Sequence, residues 1–264
     1  RYSSATLTIS ADKTTYSHKY KLSFGTNMET ALTNVAAGTS KVTISIPDSW
    51  SNYIPSATTK TGGTLIVYTY NGNTQIGSYT ITGLTYAVRS TAVPTIGTIT
   101  TSISTSYTTW SLYIQNKCGV RIQTSASGVL SSTIASLRVY VNGYSGANYD
   151  KTVYTGSIDF TTGMLSVSGT NTITVIATDS RGRTASKTTT IDVKKYSSPT
   201  GTLSLRRVDS GGTDDDMGEY GNFTLTKSYT AVGSNSLTVK LTSQGTQVTI
   251  TGTSGDLLDR DRKS

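Results

Sequence analysis

The chain offers few residues that could do chemistry, and each stands in isolation. His18 is the only histidine and Cys118 the only cysteine. A Ser-His-Asp triad would have to be built on His18, which sits in Tyr16-Ser-His-Lys-Tyr20 with polar alternation and no nucleophile elbow nearby. That pattern predicts a half-exposed strand histidine. Cys118 follows Lys117, which could lower its thiol pKa, but no second catalytic partner accompanies it, so a small buried residue or a turn thiol is expected. One cysteine cannot form an intramolecular disulfide, and a metal site built on two histidines is excluded within one chain.

Carboxylates gather once, in Asp209-Ser-Gly-Gly-Thr-Asp-Asp-Asp-Met-Gly-Glu219. A hard cation such as calcium needs several oxygens converging on one point. The spacing of the helix-loop-helix calcium motif is absent, so Asp214-Asp215-Asp216 reads as a solvated hairpin tip. Glycoside hydrolysis needs two carboxyls flanking a cleft, and nothing here selects a pair. Tyr140, Tyr144, Tyr149 and Tyr154 cluster around an Asn142-Gly143 turn, with Trp110 upstream. Exposed rings of this kind stack on sugars or form protein contacts. The residues therefore nominate no catalytic, cofactor-binding or metal-ligating set, and a non-enzymatic protein is expected.

The elements that position these residues are strands. Thr, Ser and Tyr abound, 25 residues are Gly and only 14% are charged. β-branched and ring side chains favour a pleated surface. The run Thr172 to Val193 shows the style most plainly: Ile173, Val175 and Ala177 alternate with polar residues, then Ile191 and Val193 do the same. Between them Asp179-Ser-Arg-Gly-Arg183 supplies an Asp for local capping and a Gly for positive φ. The fold class expected is all-β, with tandem immunoglobulin-like antiparallel β-sandwich domains.

Boundaries fall at Val93-Pro94 and Ser197-Ser198-Pro199, giving an N-terminal β-sandwich at 1–92, an Ig-like β-sandwich at 93–196 and a partial third β domain at 197–264. In the first, strands are expected at Thr6–Ser10, Tyr16–Phe24, Val42–Ile46, Leu65–Tyr70 and Ser78–Leu84. Asn71-Gly72 marks a hairpin, residues 27–35 hold a short helical turn, and Trp50 pins a long connection. In the second they are expected at Trp110–Ile114, Val120–Ser125, Leu137–Val141, Lys151–Ile158, Thr172–Thr178 and Thr184–Val193. The third carries Leu203–Leu205, Phe223–Leu225, Leu237–Leu241 and Val248–Ile250 before an ending that loses the alternation. At about 65 residues it is small for an independent sandwich, so it is incomplete or completed by a partner.

Net charge is +8, and the basic excess belongs to the first two units. Its residues are scattered in ones and twos, unlike the clustered patch of a nucleic-acid binder, so nucleic acid is not an expected partner. No apolar run approaches the ~20 residues that span a bilayer, so no membrane association is expected either. Loose attraction to anionic cell-wall glycopolymers needs no pocket and suits this charge.

Three places carry a family likeness: Ser17-His-Lys-Tyr-Lys-Leu-Ser-Phe-Gly25 with the Trp50 to Ile54-Pro55 connection; Tyr68-Thr-Tyr-Asn-Gly-Asn-Thr-Gln-Ile-Gly77; and Asp179 to Arg183 with Tyr196-Ser-Ser-Pro199 and Leu205-Arg-Arg207 after it. In these the chain resembles a siphophage structural protein family of unknown function, from phages of Gram-positive bacteria such as streptococci. The resemblance implies a virion component, in a tail fibre, tail tip or other appendage involved in host-surface attachment, with other virion proteins as partners. It carries over no catalytic residue. The Asp214–Asp216 loop and the short third unit depart from the pattern. Two other readings stay open: a capsid decoration or head fibre protein, and a bacterial cell-surface adhesin or carbohydrate-binding module. Edge strands of such modules can pair with neighbouring chains, so a homo-oligomer is expected.

Overall fold

A strand buries every second side chain, and β2 (Ser17–Ser23) does so strictly: His18, Tyr20 and Leu22 are buried and their neighbours half-buried. The computed structural model describes residues 2–104, 111–218, 220–233, 236–243, 246–250 and 254–257. They divide into two compact units. The first comprises Arg1–Ser102, Arg121–Thr162 and Thr172–Thr190; the second comprises Ile103–Val120, Gly163–Asn171 and Ile191–Ser264. The structure is nearly all β, in several antiparallel sheets of sandwich type.

In the first unit, the N-terminal sandwich sets a two-stranded sheet against a four-stranded one. The smaller sheet joins β1 (Tyr2–Thr8) to β4 (Lys41–Pro47), antiparallel from Tyr2 opposite Pro47 to Thr8 opposite Lys41. The larger has the order β3-β2-β5-β6, with β3 at Thr33–Val35, β5 at Thr59–Asn71 and β6 at Thr74–Ala87. Leu7, Ile44, Leu22, Leu65, Phe24, Met28 and Trp50 fill the space between the sheets. Phe24, Trp50 and Tyr86 form a triangle in which every pair of ring centroids lies 6.0 Å apart, edge to face. Such pairs add about 0.5–1.5 kcal/mol each beyond the area they bury.

Two local expectations shift. Residues 27–35 form no helical turn. Gly25 and Asn27 take φ of 99° and 69°, which a right-handed helix forbids, and Phe24 N–H donates to the Met28 carbonyl at 2.8 Å. That loop buries Met28 and leads into β3. The helical turn lies instead in the connection, as a 3-10 segment at Asp48–Tyr53 that buries Trp50 and Ser51. The β5–β6 hairpin forms as expected, but its central residues are Gly72 and Asn73, with only Gly72 (φ 56°) at positive φ.

The first unit also holds much of a second sandwich. There β10 (Val120–Ser127) lies between β7 (Thr95–Ile96) and β13 (Ser157–Thr161), with β8 (Thr100–Ile103) also pairing to it. β11 (Ile134–Val141) lies between β12 (Asp150–Val153) and β14 (Gly169–Asp179). The single strand expected at Lys151–Ile158 is thus two, because β12 pairs with β11 and β13 with β10 in a different sheet. Gly156 makes the corner, where an added Cβ would sit 3.0 Å from the Ala126 carbonyl oxygen. Arg121 and Arg138 each clasp a carboxylate on the neighbouring strand, Asp159 and Asp150.

In the second unit, β9 (Tyr113–Ile114) pairs in parallel with the end of β15 (Thr184–Lys194). β16 (Thr200–Val208) and β17 (Tyr220–Ser228) form a long antiparallel hairpin, joined on β17 by β20 (Ser254–Leu257), so part of the ending is strand. β18 (Val239–Ser243) pairs with β19 (Thr246–Ile250). Among the described residues, Phe223 and Leu225 with Val239 packed on them form an apolar cluster there. No helix among the described residues is long and apolar enough to cross a membrane.

Candidate functional site

The N-terminal sandwich is open along one side. Register places His18 opposite Thr69, Tyr20 opposite Val67 and Leu22 opposite Leu65 on the neighbouring strand. The next strand continues these rows with Gly77, Tyr79 and Ile81. All three rows face the sandwich interior, and Val67 and Ile81 pack on its core, yet Tyr79 on the outermost strand is left uncovered. Tyr79 is 71% exposed. Between β1 and β6 this leaves a cleft of about 420 Å³, lined by Leu7 to Ser10, His18, Val67, Thr69, Gly77 to Tyr79 and Ile81.

Its chemistry is that of a contact surface. Aliphatic side chains and hydroxyls alternate around one imidazole, and none of its lining residues is a carboxylate. Asp12 lines an adjoining hollow with His18, one carboxyl where glycosidase chemistry needs two. His18 is buried rather than half-exposed, with Nδ1 3.2 Å from Thr69 Oγ1. The signal for burial was present in the sequence: His18, Tyr20 and Leu22 share one strand face.

Within the same unit, the Asp179–Arg183 turn between β14 and β15 is a joint. Asp179 Oδ1 accepts from the backbone N–H groups of Arg181 and Arg183 at 3.0 and 2.9 Å, and Gly182 takes φ 77°. That local geometry is as expected. The side chain of Arg181 is entirely enclosed. Its Nε donates to the Ile54 carbonyl at 2.9 Å, Nη1 to Val129 at 2.8 Å, and Nη2 to Ser51 at 3.0 Å and to Leu130. Arg183 donates to the carbonyls of Val88, Arg89 and Ala92. Ser180 Oγ donates to the Pro55 carbonyl at 2.5 Å and accepts from Thr133 N–H at 3.1 Å.

One turn therefore ties the 3-10 segment and the end of the N-terminal sandwich to the second sandwich. Burial lowers the Arg181 pKa, and the nearby Asp179 charge opposes that shift. Asp179 Oδ2 accepts no hydrogen bond among the described residues and lies 3.9 Å from Arg181 Nη1. Leu130 and Ser131 are held at φ 50° and 62°, a strained geometry in the loop whose Val129 and Leu130 carbonyls accept from Arg181.

The remaining candidates serve local structure. Burial raises the Cys118 pKa, opposite to the effect imagined for Lys117, and its Sγ accepts from Ile114 N–H at 3.0 Å. In the acidic loop, Asp209 Oδ1 accepts from Gly211 and Thr213 N–H, Asp215 Oδ1 from Met217 N–H, and Asp214 pairs with Arg206. Among the described residues no group of three His, Cys, Asp or Glu side chains could hold a metal ion. Glu219 and Trp110 lie outside the described residues. Tyr144 and Tyr149 stack at 4.6 Å, Tyr140 lies under the Arg138 guanidinium, and Tyr154 is 81% exposed. The structure thus splits the tyrosine cluster, stacking Tyr144 on Tyr149 and leaving Tyr154 largely exposed.

Residues 2–217 match the family described as siphovirus protein of unknown function (DUF859). The chain belongs to this siphovirus family. No curated protein matches it. Among solved structures it is similar to the fibronectin(III)-like modules of Clostridium thermocellum CbhA. That similarity has 14% identity, covers 73% of this chain and 86% of that one, and has a TM-score of 0.25.

Proposed function

We propose that this siphovirus protein is a non-enzymatic structural component of the virion, part of a tail fibre or tail tip that engages the host surface. The observation that carries the reading is the joint at Asp179–Arg183. A buried guanidinium and a buried carboxylate are costly to hold, and here both are used to fix one sandwich to the next. An appendage that must transmit force needs such fixed joints, and a catalytic site gains nothing from this one. Family membership supports the virion setting. The net charge of +8 supports long-range attraction to anionic glycopolymers of a Gram-positive wall, an effect that salt screens.

Immunogold electron microscopy of purified phage particles, with antibodies against residues 1–196, tests the location. Gold at the tail end is the expected result. Gold over the head would replace the reading with a capsid decoration protein, and unlabelled intact particles would overturn the virion role in favour of a cell-surface adhesin.

A further inference from the structure

The outer strand of the larger N-terminal sheet is undefended. β6 ends its sheet, and no strand pairs with its free side among the described residues. Natural edge strands block unwanted pairing with a charge, a proline, a short length or a covering loop. β6 runs from Thr74 to Ala87 and contains no Asp, Glu, Lys, Arg or Pro. The uncharged stretch is wider still, from Thr61 to Val88, in a chain of net charge +8. Register irregularities fall on either side of the middle of the strand and leave Gly77 to Ile81 in even pairing with β5. That same stretch turns Tyr79 and Ile81 into the open cleft.

The interior row Gly77, Tyr79, Ile81 has a further property: reversed, it complements itself. We propose that a second copy of this chain pairs here, β6 antiparallel to β6, about a two-fold axis through Tyr79. Gly77 then faces the partner's Ile81, Ile81 faces the partner's Gly77, and the two Tyr79 rings meet. The partner's Ile81 enters room that glycine leaves, since a Cβ at Gly77 would touch nothing within 4 Å. Such a contact is isologous and closes on itself, giving a dimer rather than a fibre. It also continues the four-stranded sheet into the partner's and covers the exposed tyrosine. An anionic polymer or acidic peptide would find no cation on this strand, whereas an uncharged copy meets no like-charge cost.

Sedimentation of the purified chain over a wide concentration range tests this, and the outcome does not depend on where the protein sits on the particle. The expected species has twice the 27.9 kDa chain mass. Tyr79→Lys sets two ammonium groups opposite each other and should weaken association about tenfold or more, with the melting of the single chain unchanged. Tyr79→Cys should cross-link on oxidation, because opposed Cα atoms about 4.5–5.5 Å apart lie within disulfide range. Cys118 is buried and does not compete, and Tyr154→Cys, exposed but off the edge, should not cross-link. A monomer throughout would overturn the proposal and leave the edge to a different protein or a saccharide. So would an oligomer that survives Tyr79→Lys and cross-links no better through position 79 than through 154.

Discussion

The joint at Asp179–Arg183 and the free edge of β6 invert the usual distribution of charge. At the joint a guanidinium and a carboxylate are fully enclosed, and the guanidinium meets four backbone carbonyls. At the edge a strand of fourteen residues meets solvent without one charge. Enclosed charge resists substitution because every partner it leaves behind is also buried and unpaired. Open neutral backbone costs nothing until another strand arrives. The first region is committed within the chain, and the second is available outside it.

Replacing Arg181 should break this contrast most strongly. Arg181→Ala abandons four carbonyls and leaves the Asp179 charge buried, which is expected to cost about 3–5 kcal/mol. Calorimetry should show it as a split melt, with the N-terminal sandwich unfolding apart from the second. A single unshifted transition would mean that the two sandwiches are not held here. Arg183→Ala removes bonds to Val88, Arg89 and Ala92 at a more accessible place, so urea unfolding should register a loss of about 1–2 kcal/mol.

Acid should sharpen the comparison at a smaller scale. Hydrogen bonds from Arg138 and Arg121 hold Asp150 and Asp159 below the ordinary carboxylate value of 3.8. A carboxyl whose pKa falls on folding contributes stability that is whole above its unfolded value and lost as pH drops through its folded value. Melting temperature should therefore fall below about pH 4, and Asp150→Asn with Asp159→Asn should flatten that slope. Both pairs are largely solvated, so the effect is small beside that of Arg181. Smallest of all is the edge: Thr80→Glu on β6 should leave the melt of the single chain within about 0.5 kcal/mol. A large loss there would show that the edge is already covered.

What the sequence made legible was whatever depends on near neighbours. Alternation along Thr172–Thr178 and Thr184–Val193 marked β14 and β15, and the Asp-Ser-Arg-Gly-Arg turn was readable because its cap and its positive φ are both local. The destination of Arg181 was not legible, since its acceptors at Ser51 and Ile54 lie 130 and 127 residues upstream. Strand exchange between sheets hid at Gly156 for the same reason: one run of strand-like residues serves two partners that only tertiary pairing distinguishes. The turn around Gly25 and Asn27 was misread because positive φ at an asparagine leaves no periodic trace. The open edge needed both readings. Its lack of charge stands in the sequence, but its position at the rim of a sheet comes from topology alone.

The distance between Arg181 and Ile54 along the chain also sets an order of events during synthesis. A ribosome adds about 5–20 residues per second, so some 127 residues separate the two by roughly 6–25 s. Once Tyr86 and the rest of β6 have been added, the N-terminal sandwich can close its triangle of rings while the Ser51 and Ile54 carbonyls stay hydrated, awaiting a donor not yet translated. Contacts of such long sequence separation form late. The nascent chain therefore passes through a hinged stage and stiffens only when the arginine turn arrives.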